Sequence, residues 1–152
     1  MTRSAARELA VHRVFAMNLN PESPGDALDF AFEPSYYAKY KDIEELAELY
    51  AGFPETPQYD YIAAILTGVC GKLEEIDAII AKYSADREVK RISGVARAAL
   101  RVCVFELLNM TEIPVSAAIS EAVYMLECYE DEKTVKFVNG ILGTFSREID
   151  NR

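Results

Sequence analysis

The sequence predicts an all-α protein of about seven helices, packed helix on helix. Three observations predict it. Apolar residues recur with a period near 3.6 along most of the chain. Breaks rich in Pro and Gly fall between those stretches, at residues 20–25, 53–57 and before Pro114. No hairpin signal, repeat or low-complexity tract interrupts the pattern. The 152 residues, 51% hydrophobic and 27% charged, suit one domain with a substantial core.

The first helix is expected over residues 4–19, with Ala10, Val11, Val14 and Phe15 as its apolar stripe and Thr2 or Ser4 as its cap. Residues 20–25 break it, and a short apolar segment, 27–32, stops near Pro34. Residues 35–52 read as one or two further helices. There Ile43, Leu46, Leu49 and Tyr50 set the period, and Glu44, Glu45 and Glu48 face water. Residues 59–83 are the longest periodic stretch, with Ile62, Ile65, Leu66, Val69, Leu73, Ile76, Ile80 and Tyr83 on one helical face. Gly68 inside it costs about 1 kcal/mol relative to Ala, which points to close helix packing.

Residues 92–110 are apolar nearly all round, the mark of a buried central helix. The β-branched residues there suggest a strand, but the run is too long for one. After Pro114, Ser116 is placed to cap a helix reaching residue 129, with Ala118, Ile119, Ala122, Val123 and Leu126 inward. Residues 130–133 form a polar turn. Thr134 then caps a last helix carrying Val138, Ile141, Leu142 and Phe145.

Several function classes find no support. No apolar run reaches the roughly 18 residues a membrane helix needs. The first ten residues carry Arg3, Arg7 and Glu8 in place of an apolar signal core, so a cytoplasmic protein is expected. No phosphate loop, dinucleotide turn or HExxH pair occurs, so no catalytic residues and no cofactor are expected. Cys70, Cys103 and Cys128 lack metal-ligand spacing; they are expected to be core residues, with no metal. His12, the only histidine, reads as a surface or boundary residue. Glu106 lies in the middle of the apolar helix. There it needs hydrogen-bond partners or a raised pKa, and a structural role outweighs a catalytic one because no second catalytic group accompanies it.

A net charge of −9 argues against binding RNA by phosphate neutralisation alone. The basic residues nevertheless gather in three places. Arg3 and Arg7 lie one helical turn apart. Arg87, Lys90, Arg91, Arg97 and Arg101 surround the start of the central helix. Lys133 and Lys136 open the last helix beside Phe137 and Asn139. A cation, a ring and an amide at a helix start suit a flexible RNA strand, whose phosphate, base face and base edge they can meet.

Four blocks in the second half of the chain, with two segments in the first half, resemble a known family. Residues 97–107 (RAALRVCVFEL) are similar to the central helix of NusB proteins. Ile113-Pro114, then residues 119–123 (ISEAV) and 136–142 (KFVNGIL), follow in the family's order and spacing. Residues 6–15 (ARELAVHRVF) resemble its first helix, and residues 61–69 also fit. The resemblance covers residues 3–19 and 59–146.

The resemblance implies an all-helical, non-enzymatic protein of two small packed helical bundles. It implies pairing with NusE, a ribosomal small-subunit protein. The pair would bind the boxA element of nascent RNA and help RNA polymerase read through terminators, notably in ribosomal RNA operons. By position in the family, RNA contacts are expected from Arg3, Arg7, Lys136, Phe137 and Asn139; Lys133 and Arg91, from the basic groups noted above, are expected to join them. Phe15 and Leu19 are expected on the partner surface, where Val14, Phe15 and Leu19 would serve NusE or a second copy of the chain. The chain departs from the family at its sparser N-terminal arginines, at Ser120 for the usual Asn, at Lys133, and at Ala96, where an acidic partner contact is usual. NusB-like domains also occur fused to RNA cytosine methyltransferases; 152 residues leave no room for a cofactor-binding sheet, so methyl transfer is not expected. The other reading is a helical interaction module without direct RNA binding.

Overall fold

Every regular element among the described residues is helical: eight α-helices and two short 3-10 turns. The computed structural model describes residues 1–40, 42–85 and 87–150; the side chains of Glu45 and Asp150 lie outside that description, and with them the expected solvent-facing position of Glu45. The chain divides into two compact units, Met1–Cys70 and Gly71–Arg152.

In the N-terminal unit, α1 (Arg3–Leu19) starts where the Thr2 hydroxyl accepts the Ala5 N–H at 3.0 Å. Its inner face is Ala6, Arg7, Leu9, Ala10, Val11, Val14 and Met17. The following break is shorter than expected. Ser23 accepts the Asp26 N–H at 3.1 Å and caps α2 (Pro24–Ala31). Pro24 therefore opens a helix, since its fixed φ and missing N–H cost nothing in a first turn. The 35–52 stretch resolves into α3 (Pro34–Tyr40) and a 3-10 turn at Glu44–Leu46. Rings hold this region together. Tyr37 lies 4.9 Å from Tyr50 and 5.0 Å from Phe53, and its hydroxyl donates to the Gly52 carbonyl at 2.7 Å. α4 (Thr56–Gly71) adds Tyr61, Ile62, Ile65, Leu66 and Val69 to the core.

The C-terminal unit is built around α6 (Gly94–Asn109), against which α5 (Leu73–Tyr83), α7 (Val115–Leu126) and α8 (Glu132–Asp150) all pack. Every residue from Ala98 to Leu107 is buried, as the absence of a polar face required. Two charged residues share that burial. Arg101 is held by the Asp77 carboxylate through two bonds of 2.9 Å. Glu106 is 1% exposed, the buried position expected of it.

Several expectations need correcting. The 59–83 stretch is two helices, because Lys72 leaves helical geometry (φ −121°, ψ 23°). The stripe survives the break: Val69 and Ile76 are one heptad apart, so the period alone runs straight through. The signals that mark the break are Gly71 and the acidic first turn Glu74-Glu75, which suits a helix N-terminus. Leu73, beside the break, is exposed. Cys70 and Cys128 are exposed, and only Cys103 is core. No side chain caps α7, so Ser116 is not its cap, and the helix ends at Leu126. α8 begins before Thr134: the Asp131 carboxylate accepts the Thr134 N–H at 2.8 Å. Gly140 allows no close approach, since a Cβ there would meet nothing within 4 Å.

Candidate RNA interface

The two N-terminal arginines take different positions. The Arg3 guanidinium is exposed and lies 4.3 Å from the ring centroid of Tyr61. Arg7 lies 5.7 Å from the same ring and is only 6% exposed. The period explains the difference. Arg7 stands three residues before Ala10 and seven before Val14, which places it on the buried stripe of α1. Arg7 is therefore a buried cation and not the surface one expected, with Tyr61 beside it. Along the same helix, Leu19 is 68% exposed, Phe15 is half-buried and Val14 is buried, so Val14 drops out of the expected apolar surface. His12 is a boundary residue as expected. Burial holds its pKa below the usual value, although the Glu8 carboxylate 3.9 Å away pulls it up.

The basic group before α6 is sorted by its partners. Arg101 is committed to Asp77. Arg97 donates to the Lys90 carbonyl at 3.2 Å, while its buried Nε finds no partner. Burial, and then Arg101 beside it, holds the Arg97 pKa below its ordinary value. Lys90 pairs with Glu88 at 3.3 Å. That leaves Arg87 and Arg91 exposed, with no carboxylate paired to either among the described residues.

At the start of α8, Lys133, Lys136 and Asn139 are all exposed, and their i, i+3, i+6 spacing sets them along one side of the helix. Lys136 bonds Glu132 at 3.0 Å. Such an exposed pair contributes only about 0.2–1 kcal/mol, so a phosphate can displace the carboxylate. The Thr134 N–H and hydroxyl hold the Asp131 carboxyl below its ordinary pKa, which keeps the first turn acidic. Phe137 is half-buried, and the Arg87 guanidinium lies 4.4 Å from its ring centroid.

Two pairings escaped sequence reasoning: Arg3 with the buried Tyr61, and Arg87 with Phe137. Tyr61 is far in sequence from Arg3, as Phe137 is from Arg87, so no local spacing connects either pair. Ala96 is fully buried, so no surface group stands where the family's acidic residue would be. No His, Cys, Asp and Glu residues gather in a group of three or more that could hold a metal among the described residues. None of the described helices is long and apolar enough to cross a membrane.

Comparison with known proteins bears on this geometry. The model of the NusB family matches residues 4–147. A transcription antitermination protein NusB from Carboxydothermus hydrogenoformans is 33% identical over 150 residues, covering 99% of this chain and 96% of that one. The NusB of Clostridium botulinum is 34% identical over 142 residues, covering 93% and 96%. Among solved structures, T. maritima NusB shares the fold with a TM-score of 0.71 at 23% identity, covering 97% of this chain and 92% of its own. The antitermination factors NusB and NusE in complex with double-stranded RNA give a TM-score of 0.73 at 27% identity, covering 96% of each chain. With four motif blocks, an all-helical fold and a match across nearly its whole length, the chain belongs to the NusB family.

Proposed function

We propose that this chain is a transcription antitermination factor that binds boxA-type RNA together with NusE. Acting on the RNA polymerase elongation complex, it supports read-through, notably in ribosomal RNA operons. The observation that carries this reading is the family match over residues 4–147. The likeness to a NusB solved with NusE and RNA supports it. The protein is a platform and not an enzyme, and it works in the cytoplasm as a single NusB-like domain. In the N-terminal unit Arg3 meets phosphate; in the C-terminal unit Arg91, Lys133 and Lys136 meet phosphate, Asn139 reads a base edge, and Phe137 stands on the helix of Lys136 and Asn139. Arg7 contributes from beneath by holding Tyr61. Leu19 and the exposed edge of Phe15 form the apolar contact for NusE, or for a second copy of the chain when NusE is absent.

The net charge of −9 favours one rival, a protein-interaction module without RNA contact. Fluorescence anisotropy with a labelled boxA-type RNA separates the two. The chain alone is expected to bind weakly. Adding NusE is expected to tighten binding through two linked contacts, with a steep salt dependence. Replacing Arg3 and Lys136 by Glu is expected to abolish RNA binding while leaving NusE binding intact. Unchanged RNA affinity of the complex between that double variant and NusE, with no RNA binding by the chain alone, would establish the rival.

A further inference from the structure

We propose that Arg87 is the base-stacking residue of the C-terminal unit, and that Phe137 acts through it by positioning its guanidinium plane. This inference rests on the RNA-binding reading above. It begins with a conflict: Phe137 is a ring beside Lys136 and Asn139, yet it is half-buried and Arg87 already lies over it at 4.4 Å. A base cannot occupy the face of Phe137 that Arg87 covers. The guanidinium is planar and delocalised, and Arg87 is exposed, so a ligand can reach its side chain. An unpaired base stacks on an arginine plane as it does on an aromatic ring.

Two further features fit this role. The backbone at Arg87 is held in place: its N–H donates to the Ser84 carbonyl at 3.1 Å, and the buried Ser84 hydroxyl donates to the Arg87 carbonyl at 2.8 Å. Ala85, inside this turn, takes a left-handed φ of 55°. A side chain on a closed turn and seated on a ring loses little freedom when it binds. In addition, Arg87 has no competing carboxylate among the described residues. Its neighbours Arg97, Arg101 and Lys90 already have oxygen partners. The ligand class is therefore an unpaired nucleotide of single-stranded RNA, with Lys133 and Lys136 on the helix of Phe137 available for its flanking phosphates.

The test measures binding of a labelled single-stranded boxA-type RNA to the full chain with NusE, across several salt concentrations. Arg87→Lys keeps the charge but removes the plane, and Phe137→Leu removes the supporting ring. Each is expected to weaken binding about tenfold, within the usual range for one stacked base. Combining the two is expected to cost no more than either alone, because they remove the same contact. Arg87→Lys should keep the salt slope, while Arg87→Gln should lower it by about one. Thermal melting of Arg87→Lys, a surface change, checks that the fold is intact. Wild-type affinity in Arg87→Lys would overturn the proposal and leave a phosphate contact. So would a loss in Phe137→Leu with none in Arg87→Lys, or losses of equal size on a fully paired duplex. If the unaltered protein binds no RNA at any salt concentration, the RNA reading fails and this inference with it. If it binds and the Arg87 variants match it, only this inference fails.

Discussion

The two units reach stability by different chemistry. The C-terminal unit is aliphatic: α6 is buried almost all round, and Ile76, Ile80, Leu126, Val138 and Leu142 close on it. The N-terminal unit is aromatic and hydroxylated. Six of the nine tyrosines fall between residues 36 and 61. There Tyr37 bonds the Gly52 carbonyl, Tyr40 donates to the Tyr36 hydroxyl at 2.7 Å, and Tyr40 stacks on Tyr50 at 5.0 Å. Aliphatic helices need only volume and period. Ring clusters need each hydroxyl satisfied as well, which lets short helices and turns stand in for long ones. One device recurs in both: a guanidinium laid over a ring, Arg3 on Tyr61 and Arg87 on Phe137. In each unit it prepares a cation at the surface on an apolar support.

The contrast can be broken most forcefully at Leu100, which is fully buried in α6. Leu100→Ala is expected to cost about 2–5 kcal/mol. The chain has no Trp, so tyrosine fluorescence mostly follows the N-terminal unit, while circular dichroism follows both. Urea unfolding should therefore show the dichroism transition falling ahead of the fluorescence transition. If the two fall together, the units unfold as one.

Asp77→Asn removes the charged partner of the buried Arg101 and is expected to cost about 2 kcal/mol, read from the shift in urea midpoint. A loss below a few tenths would mean that aliphatic packing alone carries the C-terminal unit. Tyr37→Phe strands the Gly52 carbonyl and should cost about 1 kcal/mol. Alkali probes the same cluster. Burial pushes the Tyr37 pKa up to about 12, and burial with the Tyr40 hydrogen bond does the same for Tyr36. The neutral hydroxyls are favoured in the folded state, so their stabilisation is complete below the ordinary tyrosine pKa near 10. It is lost as pH rises from there towards 12. Unfolding midpoints measured across that window should fall for the N-terminal unit first; parallel falls in both units would erase the distinction. The smallest effect is a gain. Gly140→Ala adds a methyl into open space on a helix and should stabilise by about 0.5–1 kcal/mol in thermal melts. A destabilised variant would show that close packing governs Gly140 after all.

Much of the fold was legible from period and punctuation. The buried α6 and the inward Val138, Ile141, Leu142 and Phe145 of α8 follow from local spacing, as do the breaks before α2 and α4; of the two caps offered for α1, Thr2 or Ser4, the fold uses Thr2. Local patterns fail where two signals share one period. Val69 and Ile76 keep the heptad through the break at Lys72, and Arg7 falls in register with Ala10 and Val14 although it is charged. Cys70 and Cys128 misled for a related reason: membership of an apolar stretch does not say which side of the helix reaches the core.

By itself, the sequence determined the helical class, the central helix and the family, because these depend on contacts between residues close in the chain or on ordered motif blocks. Only the tertiary structure decided which cations of the candidate surface are free to act. Arg101 is spent on Asp77, Arg7 is buried, and Arg87 is presented on Phe137. The reason is physical: the availability of a cation depends on burial and on partners brought together from distant parts of the chain, and neither leaves a periodic trace in the sequence.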